Sequence, residues 1–417
     1  MLLLIVLPGQ VEHVLALEAQ GRGLTEAAAK AWAELHKDAR WGWVVGIGAI
    51  WASIGPAIFG GLSDRVRTKW GHRQPFIAVG AAMTAIALVW MADASAYWML
   101  VVGFLLLQVS DDVGTGPYSA MVPETVPEES RGRASSVMSM LQLLGQLVSG
   151  VVAFLLTIEL GAFESVKAIY FCIAGVNLVC AVVTLITVRN VRAGEVHPDS
   201  MEPFYVRWVR PFRDSDFRWV WFTRFINALG FYLVVEYLSY FMKGAYTSFV
   251  LFGTEMPGDT VVSKARVATL VLALTLALTG AVSSVFAAKY SDKWGRKRLI
   301  YVSGVIVFFA LVPFAFVRDF TLAFYLAVLF GTGYGLYLSA DWALVSDIMP
   351  NKEAAGSDMG VWQMSISSVQ LVAGIAGMGI GLLNAREPNV GYMAAIVLAG
   401  VLFLTSTILV RQVKGSR

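Results

Sequence analysis

Long apolar stretches alternate with short polar segments along almost the whole chain. Eleven of these stretches approach the roughly 20 residues that a helix needs to cross a bilayer. They lie at about 41–62, 76–92, 97–120, 133–158, 166–188, 217–241, 267–288, 299–317, 321–346, 359–383 and 391–410. None alternates with the two-residue period of a barrel strand, and backbone groups in hydrocarbon need partners within their own segment. The pattern therefore predicts an all-α polytopic membrane protein.

The composition agrees with this fold class and removes others. Of 417 residues, 57% are hydrophobic and 15% are charged, whereas a soluble domain has about 25% charged residues. A disordered chain and an ordinary soluble enzyme are excluded, and the net charge of +3 is too small to indicate a nucleic-acid partner. The two cysteines, Cys172 and Cys180, lie in one apolar stretch, so neither a disulfide framework nor a metal site is predicted. We expect no cofactor.

The polar segments differ in charge on the two predicted sides of the membrane. The segments 64–75, 121–133, 189–218, 289–298, 347–358 and 411–417 contain 21 of the 32 lysines and arginines, and those of the other side contain 10. By the positive-inside rule the first set is cytoplasmic. The sequence therefore predicts an integral protein of the cell or plasma membrane whose C-terminus lies inside.

The N-terminal region departs from the regular pattern. Residues 1–7 are apolar but reach only about a third of a span, and Pro8 and Gly9 follow at once. We interpret them as the end of a first helix that is mostly missing, so that an intact version would have twelve spans; a short interfacial segment is the alternative. Residues 10–40 mix apolar and charged residues, which predicts an amphipathic helix on the outer surface.

The chain contains a weak internal repeat. Segment 60–73, GGLSDRVRTKWGHR, matches 288–298, AKYSDKWGRKR, in its Ser-Asp and Trp-Gly pairs. At an offset of 224, the matching pairs are Gly132 and Gly356, Val137 and Val361, Gln146 and Gln370, and Gly150 and Gly374. An ordered series at a nearly fixed offset indicates duplicated bundles. We predict an N-terminal helical bundle at 1–188, a cytoplasmic linker at 189–216 and a C-terminal six-helix bundle at 217–417.

The repeated loop, with its acidic residue, basic cluster and glycine, resembles the signature loop of the major facilitator superfamily. The longer form SDRVRTKWGHRQPF, together with GPYSAMVPETVPEESRGRAS at 116–135, is similar to the glycoside-pentoside-hexuronide:cation symporters and the related sucrose transporters. This resemblance implies two six-helix bundles that move a solute by alternating access. It also implies that the first, fourth, seventh and tenth helices line a central cavity.

The charges of the signature loop suit a conformational latch. A carboxylate that closes a helix, followed by arginines in a short turn, can form charge-assisted bonds across the cytoplasmic face and hold one state. The residues predicted to form the latch are Asp64, Arg65, Arg73, Glu124, Arg131, Asp292 and Arg296. Glu124 and Arg131 resemble a second cytoplasmic acid-arginine pair of the superfamily. The alternative is that the basic residues only set the topology.

Five charged residues stand out inside the predicted spans, because a charge near the bilayer centre costs about 2.5 to 3.5 kcal/mol. They are Asp111, Asp112, Arg224, Glu236 and Asp341. Arg224 stays protonated and needs a carboxylate, which we predict to be Asp341 or, as second choice, Asp112. A carboxylic acid without such a partner can take up a proton near neutral pH, so Asp111 or Asp112 is the candidate carrier of a coupling proton. A structural ion pair is the alternative for Arg224 and Asp341.

Amide and aromatic side chains within the spans suit a neutral polyol, because hydroxyls bind amides and carboxylates while the C–H face of a sugar stacks on a ring. The predicted substrate and ion site comprises Asp111, Asp112, Arg224, Asp341, Asn227, Gln142, Gln146, Trp342 and Trp362. We expect a monomeric transporter in the lipid bilayer, not an enzyme, that moves a sugar or glycoside with protons or another cation. A proton-driven exporter of lipophilic compounds and a lysolipid carrier are alternatives, and an intramembrane enzyme is a remote one.

Overall fold

The computed structural model describes residues 7–188, 203–349 and 355–415. The side chains at 8–9, 34–35, 37–46, 154, 157–164, 291–293, 370–371, 373–375 and 378 are not described. The described backbone forms the helices α1 Leu7–Gly21, α2 Glu26–Ser63, α3 Gln74–Ala92, α4 Tyr97–Ser119, α5 Met121–Thr125, α6 Arg131–Thr187, α7 Phe204–Val209, α8 Ser215–Ala245, α9 Val261–Trp294, α10 Arg296–Phe316, α11 Phe320–Ile348, α12 Ala355–Arg386 and α13 Val390–Leu409. A hairpin of β1 Val250–Leu251 and antiparallel β2 Thr254–Glu255 joins α8 to α9. The predicted all-α fold is confirmed.

Nine helical segments of the described residues are long and apolar enough to cross a membrane. They are Gln74–Ala92, Tyr97–Thr125, Glu128–Ala153, Ser165–Thr187, Ser215–Ala245, Val261–Tyr290, Arg296–Phe316, Phe320–Ile348 and Val390–Gln412. Each corresponds to a span predicted from the sequence. The other two predicted spans, 41–62 and 359–383, fall in α2 and α12, which contain side chains that are not described. Within the first of these, the described apolar segment is Ile47–Ser63.

Two acidic side chains define where long helices begin. The Asp214 carboxylate precedes α8 and accepts a hydrogen bond from the backbone N–H of Phe217 at 2.9 Å. The Asp319 carboxylate precedes α11 and accepts one from the backbone N–H of Leu322 at 2.7 Å. Each carboxylate satisfies a donor that the first helical turn leaves without a partner. The caps thus fix the start of two helices that carry candidate site residues.

The amphipathic surface helix predicted over 10–40 is wrong for residues 10–21. The region forms α1 and the first part of α2, separated by a turn at 22–25. Val14 and Leu15 of α1 are buried in one cluster with Leu100 of α4. The side-chain amide of Gln10 donates a hydrogen bond to the carbonyl oxygen of Met91, at the end of α3, at 2.7 Å. The apolar stripe of α1 therefore packs against neighbouring helices and is not exposed at a surface.

The spans predicted at 133–158 and 166–188 both lie in α6, which has no non-helical residue between them. The second part of α6 runs antiparallel to α3. Tyr170 packs with Met91 near the end of α3, whereas the carbonyl oxygen of Val188 accepts a hydrogen bond from the Gln74 side chain at the start of α3 at 2.7 Å. Between these points, the Asn177 side chain donates to the carbonyl oxygen of Ala81 at 3.2 Å.

The residues group into two compact units, and each is described by itself. Unit 1 comprises Met1–Met121, Val148–Trp208 and Asn351–Met364. Unit 2 comprises Val122–Leu147, Val209–Pro350 and Ser365–Arg417. Each unit therefore contains segments of both halves that the repeat predicts. The division into bundles at 1–188 and 217–417 stays a prediction, and residues 189–202 of the predicted linker lie outside the described residues.

Each unit has its own apolar core. In unit 1, Leu88, Phe104 and Tyr170 belong to one buried cluster. The core of unit 2 is rich in aromatic side chains, among them Phe320 and Phe403. These cores hold the long helices in fixed register, so that polar side chains can be brought together at defined points along them.

Candidate functional site

Arg224 of α8 and Asp341 of α11 form a buried ion pair in unit 2. The guanidinium Nη1 pairs with the carboxylate Oδ2, and both side chains are almost fully enclosed. Both helices are among the segments apolar enough to cross a membrane. Burial of either charge alone would cost far more than burial of the pair. The ion pair predicted from the sequence is therefore present, and its role in binding stays a prediction.

Aromatic rings surround this ion pair on the same two helices. The Arg224 guanidinium carbon lies 5.8 Å from the centre of the Trp342 ring. Tyr334 of α11 stacks on Phe231 of α8 with ring centres 4.2 Å apart and an angle of 7° between the planes. Tyr337 lies between Tyr334 and Asp341 on α11 and is buried. Charged donors and acceptors beside flat apolar faces are the combination that a sugar ring requires.

Asp112 of α4 lies in the core of unit 1. Its side chain is buried, and its Oδ2 atom has no hydrogen-bond partner among the described residues. It packs against Gly55 of α2, where an added Cβ would lie 2.6 Å from the Asp112 Cγ. Asp111, the adjacent residue, is exposed. Because a carboxylate in such an apolar place needs either a partner or a proton, Asp112 is the better candidate for the proton carrier.

The predicted amide and tryptophan ligands lie in different surroundings. The Asn227 amide donates a hydrogen bond to the Ser406 hydroxyl of α13 at 3.4 Å, which is a contact between packed helices of unit 2. Gln142 and Gln146 are exposed and four residues apart on α6, so they share one face. Trp362 of α12 is fully buried in unit 1.

A second buried charge cluster, the Asp64 cluster, lies in unit 1 at the end of α2. The Asp64 Oδ1 atom lies 2.7 Å from Arg73 Nη2, and Oδ2 pairs with Arg207. The same carboxylate accepts hydrogen bonds from the backbone N–H groups of Gly356 at 3.1 Å and Ser357 at 3.0 Å. These donors lie in the first turn of α12, where the helix dipole favours a negative charge. One carboxylate thus joins the end of α2 to the start of α12.

Arg207 is the member of this cluster that the sequence analysis missed. Its side chain is fully buried and also donates to the carbonyl oxygen of Gly61 at 3.0 Å. The signal in the sequence is an arginine within the apolar and aromatic run FYVRWV of the predicted linker. Arg65, predicted to be part of the latch, lies with its guanidinium carbon 4.8 Å from the centre of the Phe204 ring.

The Asp347 cluster of unit 2 consists of Asp347, Arg131 and Arg296. The Asp347 Oδ2 atom accepts a hydrogen bond from Arg296 Nε at 3.1 Å, and Oδ1 lies 3.7 Å from Arg131 Nη1. The same Arg131 nitrogen donates to the carbonyl oxygen of Ser346 at 3.0 Å. This cluster joins the start of α6 and the start of α10 to the end of α11.

The predicted pair of Glu124 with Arg131 is not among the described contacts of Arg131. The Arg131 guanidinium instead donates to the carbonyl oxygens of Pro123 at 3.2 Å and Val126 at 3.3 Å. Residues seven apart face each other only along a continuous helix, and here α5 ends at Thr125. The side chain of Asp292, also predicted for the latch, lies outside the described residues.

Comparisons with known proteins agree with this architecture. A family model described as Major Facilitator Superfamily matches residues 27–374. No curated protein matches the sequence. Among solved structures, the proton:xylose symporter XylE bound to 6-bromo-6-deoxy-D-glucose is 14% identical over 97% of this chain and 94% of its own, with a TM-score of 0.64.

Two further solved structures are similar to the chain. The E. coli fucose:proton symporter FucP is 13% identical over 89% of this chain and 90% of its own, with a TM-score of 0.66. The human organic anion transporter MFSD10 is 15% identical over 98% of both chains, with a TM-score of 0.62. At these identities the likeness is one of fold.

Proposed function

Because the chain belongs to the major facilitator superfamily, we propose that it is a secondary active transporter that carries a small neutral polar solute, of the sugar or glycoside class, together with protons. Two of the similar structures are symporters of protons with xylose or fucose. The resemblance of the signature loop to the glycoside-pentoside-hexuronide:cation symporters supports the same substrate class.

The observation that carries the proposal is the buried pair of Arg224 and Asp341. A neutral ion pair can bind hydroxyl groups with both partners, since the guanidinium donates hydrogen bonds and the carboxylate accepts them. The neighbouring Trp342 ring is the proposed face for the C–H side of a sugar. An organic anion would compete with Asp341 for the guanidinium, which favours a neutral cargo.

Asp112 is the proposed carrier of the coupling proton. It is buried in a helix that crosses the membrane, with one carboxylate oxygen lacking a hydrogen-bond partner among the described residues. When a proton binds to Asp112 or leaves it, the charge of the side chain changes. The free energy of the conformational state that buries Asp112 changes with that charge. Asp111 is adjacent and its side chain is exposed, so Asp112 is the first choice and Asp111 the alternative.

The Asp64 and Asp347 clusters are the proposed latches of alternating access. Each joins helix ends from the two halves predicted by the repeat: α2 with α12, and α6 with α11. Both lie at helix ends predicted to be cytoplasmic. Their contacts stabilise the state in which these ends are together, and access from the cytoplasm requires that they separate.

The test is solute uptake into proteoliposomes that contain the purified protein, with an imposed proton gradient and a panel of labelled sugars and glycosides. We expect uptake of at least one of them, and we expect Asp341→Asn and Arg224→Ala to abolish it while insertion into the membrane is unchanged. Glu236→Gln, a charge-removing change on the same helix as Arg224, is the matched control.

Wild-type uptake rates in both Asp341→Asn and Arg224→Ala would remove the proposed site. Dye efflux in place of sugar uptake would favour export of lipophilic compounds.

A further inference from the structure

Two exposed tryptophans occupy corresponding turns at the predicted cytoplasmic ends of the helices. Trp70 lies between α2 and α3 and is 70% exposed, and Trp294 lies at the end of α9 and is 53% exposed. They stand 224 residues apart, which is the offset of the internal repeat. We call the two segments, 67–71 and 289–298, the Trp-Gly turns.

The backbone of each turn directs its tryptophan outward. The glycines that follow, Gly71 and Gly295, have φ values of 108° and 89°, a conformation that favours glycine. In the first turn, Thr68 and Gly71 exchange backbone hydrogen bonds of 3.3 and 3.0 Å. The first turn is therefore closed by its own backbone, and its exposed indole ring is not required to hold it.

Basic side chains accompany both tryptophans. Lys69 is exposed beside Trp70, with Arg67 partly exposed before it. In the second turn, Lys289 and Arg298 are exposed and Lys297 is partly exposed. Asp292 and Lys293 also belong to the second turn. Their side chains are not described, and their opposite charges do not change the net charge of the turn. Each turn thus combines an exposed ring with an excess of positive charge.

Aromatic contacts extend the second turn. The Tyr290 ring lies 4.7 Å from the Trp294 ring, centre to centre, and the Lys289 ammonium lies 5.8 Å from the Tyr290 centre. At an exposed site such a cation–π contact is a weak attraction between the ammonium and the ring. The arrangement places a cation next to an aromatic surface. This combination suits the boundary between lipid headgroups and acyl chains, where charged and apolar groups meet.

The position along the chain predicts that both turns lie at the membrane surface. Trp70 lies in the segment between the end of α2 at Ser63 and the start of α3 at Gln74, and Trp294 is the last residue of α9. Tryptophan is enriched at the level of lipid headgroups, and basic segments beside a span are attracted to the anionic lipids of the cytoplasmic leaflet.

From these observations we propose that each Trp-Gly turn binds the headgroup of an anionic phospholipid of the cytoplasmic leaflet. The indole ring lies at the boundary of headgroups and acyl chains, and the neighbouring lysine and arginine side chains bind the phosphate.

The lipid sites are adjacent to the two buried charge clusters. Arg73 follows Gly71 by two residues and belongs to the Asp64 cluster, and Arg296 follows Gly295 directly and belongs to the Asp347 cluster. A lipid that holds a turn at the membrane surface also restrains the adjacent arginine. Anionic lipid is therefore expected to stabilise the state in which the clusters are formed; this consequence rests on the proposed function, whereas lipid binding does not.

The experiment measures binding of phosphatidylglycerol to the purified full chain in detergent by native mass spectrometry, with phosphatidylcholine as the zwitterionic comparison. The variants are Trp70→Ala with Trp294→Ala, and Lys69→Gln with Arg298→Gln. Trp98→Ala is the matched control, because Trp98 is 58% exposed at the end of α4 predicted to lie outside. Thermal melting of each variant confirms folding.

We expect about fivefold weaker phosphatidylglycerol binding for each positive charge removed, a loss of similar size in the tryptophan double variant, and no change in Trp98→Ala. Because Lys69 and Arg298 are exposed, their replacement tests the proposal even if the tryptophan variant folds poorly. Wild-type binding in the charge variant overturns the proposal, and so does an equal loss in Trp98→Ala.

An arm with inorganic phosphate distinguishes the lipid from a free anion. Competition by millimolar phosphate would make the turns an anion site and would overturn the assignment to lipid. Transport is then measured in liposomes with and without phosphatidylglycerol. Wild-type lipid binding in the charge variant together with sugar uptake by the wild type would overturn this proposal alone, whereas the expected loss of lipid binding without uptake of any sugar by the wild type would overturn only the proposed function.

Discussion

At the scale of single residues, the buried carboxylate of Asp64 has four partners: two guanidinium groups and two backbone N–H groups. Removal of an ion from water costs several kcal/mol, and only enough well-placed partners offset this cost. The two arginines depend on Asp64 in turn, since Arg73 and Arg207 are both almost fully buried. The cluster is therefore stable only while all of its charges are present.

Asp64→Asn is expected to lower the free energy of unfolding by about 3 to 5 kcal/mol, because it removes the buried negative charge that pairs with two buried guanidinium groups. Thermal and denaturant unfolding of the purified protein measure this change. Glu26→Gln is the matched control, because Glu26 pairs with Lys30 while 72% of its side chain is exposed, and it should unfold as the wild type does. If the unfolding midpoints of Asp64→Asn and Glu26→Gln were similar, the Asp64 carboxylate would not stabilise the fold as proposed.

Asp112→Asn is expected to abolish accumulation driven by a proton gradient and to leave exchange of labelled for unlabelled solute intact. Asparagine keeps the shape of the side chain but cannot bind and release a proton. Both rates are measured in proteoliposomes, and Asp111→Asn on the same helix, at an exposed position, should retain both. Proton-driven accumulation at the wild-type level in Asp112→Asn would assign the proton to another group.

Some of these residues could be predicted from the sequence and others could not. Arg224 and Asp341 could, because a cation in hydrocarbon needs a carboxylate and few are available in the spans. The apolar run FYVRWV distinguishes Arg207 from the other five basic residues at 189–218, but only the folded chain shows that it turns back onto α2. The contact of the Asn227 amide with Ser406 on α13 could not be predicted either, and the role of Asn227 in substrate binding stays a prediction. The type of side chain is visible in a sequence, whereas the neighbour it faces depends on helix rotation.

At the scale of elements, the close approach of α12 to α2 depends on glycines. A Cβ at Gly360 would lie 2.5 Å from Ala57 Cα and 2.7 Å from Ala57 N, and one at Gly356 would collide with the carbonyl oxygen of Gly60. Gly356 and Gly360 are four residues apart and share one face of α12. This close packing brings the N–H groups of the first turn of α12 within reach of Asp64.

Gly360→Val is expected to push α12 away from α2 and to weaken the Asp64 cluster. Overpacking of this kind costs typically 1 to 3 kcal/mol, and we expect faster hydrogen exchange of the backbone amides at 355–360. Gly381→Val on the same helix is the matched control, because a Cβ there would meet nothing within 4 Å. Equal exchange rates in the two variants would show that the glycine contact does not hold these helices together.

The limits of pattern analysis are visible in α1. Apolar residues at 11, 14 and 15 fit a helix that lies on a membrane surface as well as one that packs against other helices. The packing is decided by the buried Gln10 side chain, which bonds with Met91 and Tyr170, 81 and 160 residues away. The periodicity of a sequence shows that one face of a helix is apolar, but it does not show whether that face packs against a membrane or against other helices.

At the scale of the whole molecule, the predicted orientation places the C-terminal segment inside the cell. The backbone N–H groups of Lys414 and Gly415 donate to the Asp216 carboxylate in the first turn of α8, at 2.8 and 2.5 Å. The C-terminal segment and the start of α8 therefore lie on one side of unit 2.

A cysteine-labelling experiment tests this orientation. In a chain with Cys172→Ser and Cys180→Ser, a cysteine at Asp259 is expected to react with a membrane-impermeant maleimide in intact cells. A cysteine at Arg411 should react only after permeabilisation. Both positions are exposed, so a difference in labelling shows on which side of the membrane each position lies and does not result from burial. Labelling of Arg411→Cys in intact cells would reverse the predicted topology.

The two compact units each contain segments from both halves of the chain, and this has a consequence for biosynthesis. A polypeptide that stops after α6 lacks residues 351–364, which belong to unit 1, and the end of α2, which contacts the start of α12 in the whole chain, would be open to chaperones and proteases. The complementary fragment lacks residues 122–147 of unit 2, so its compact unit is also incomplete. Each fragment made alone should be degraded, whereas the two made in one cell should complement each other and assemble.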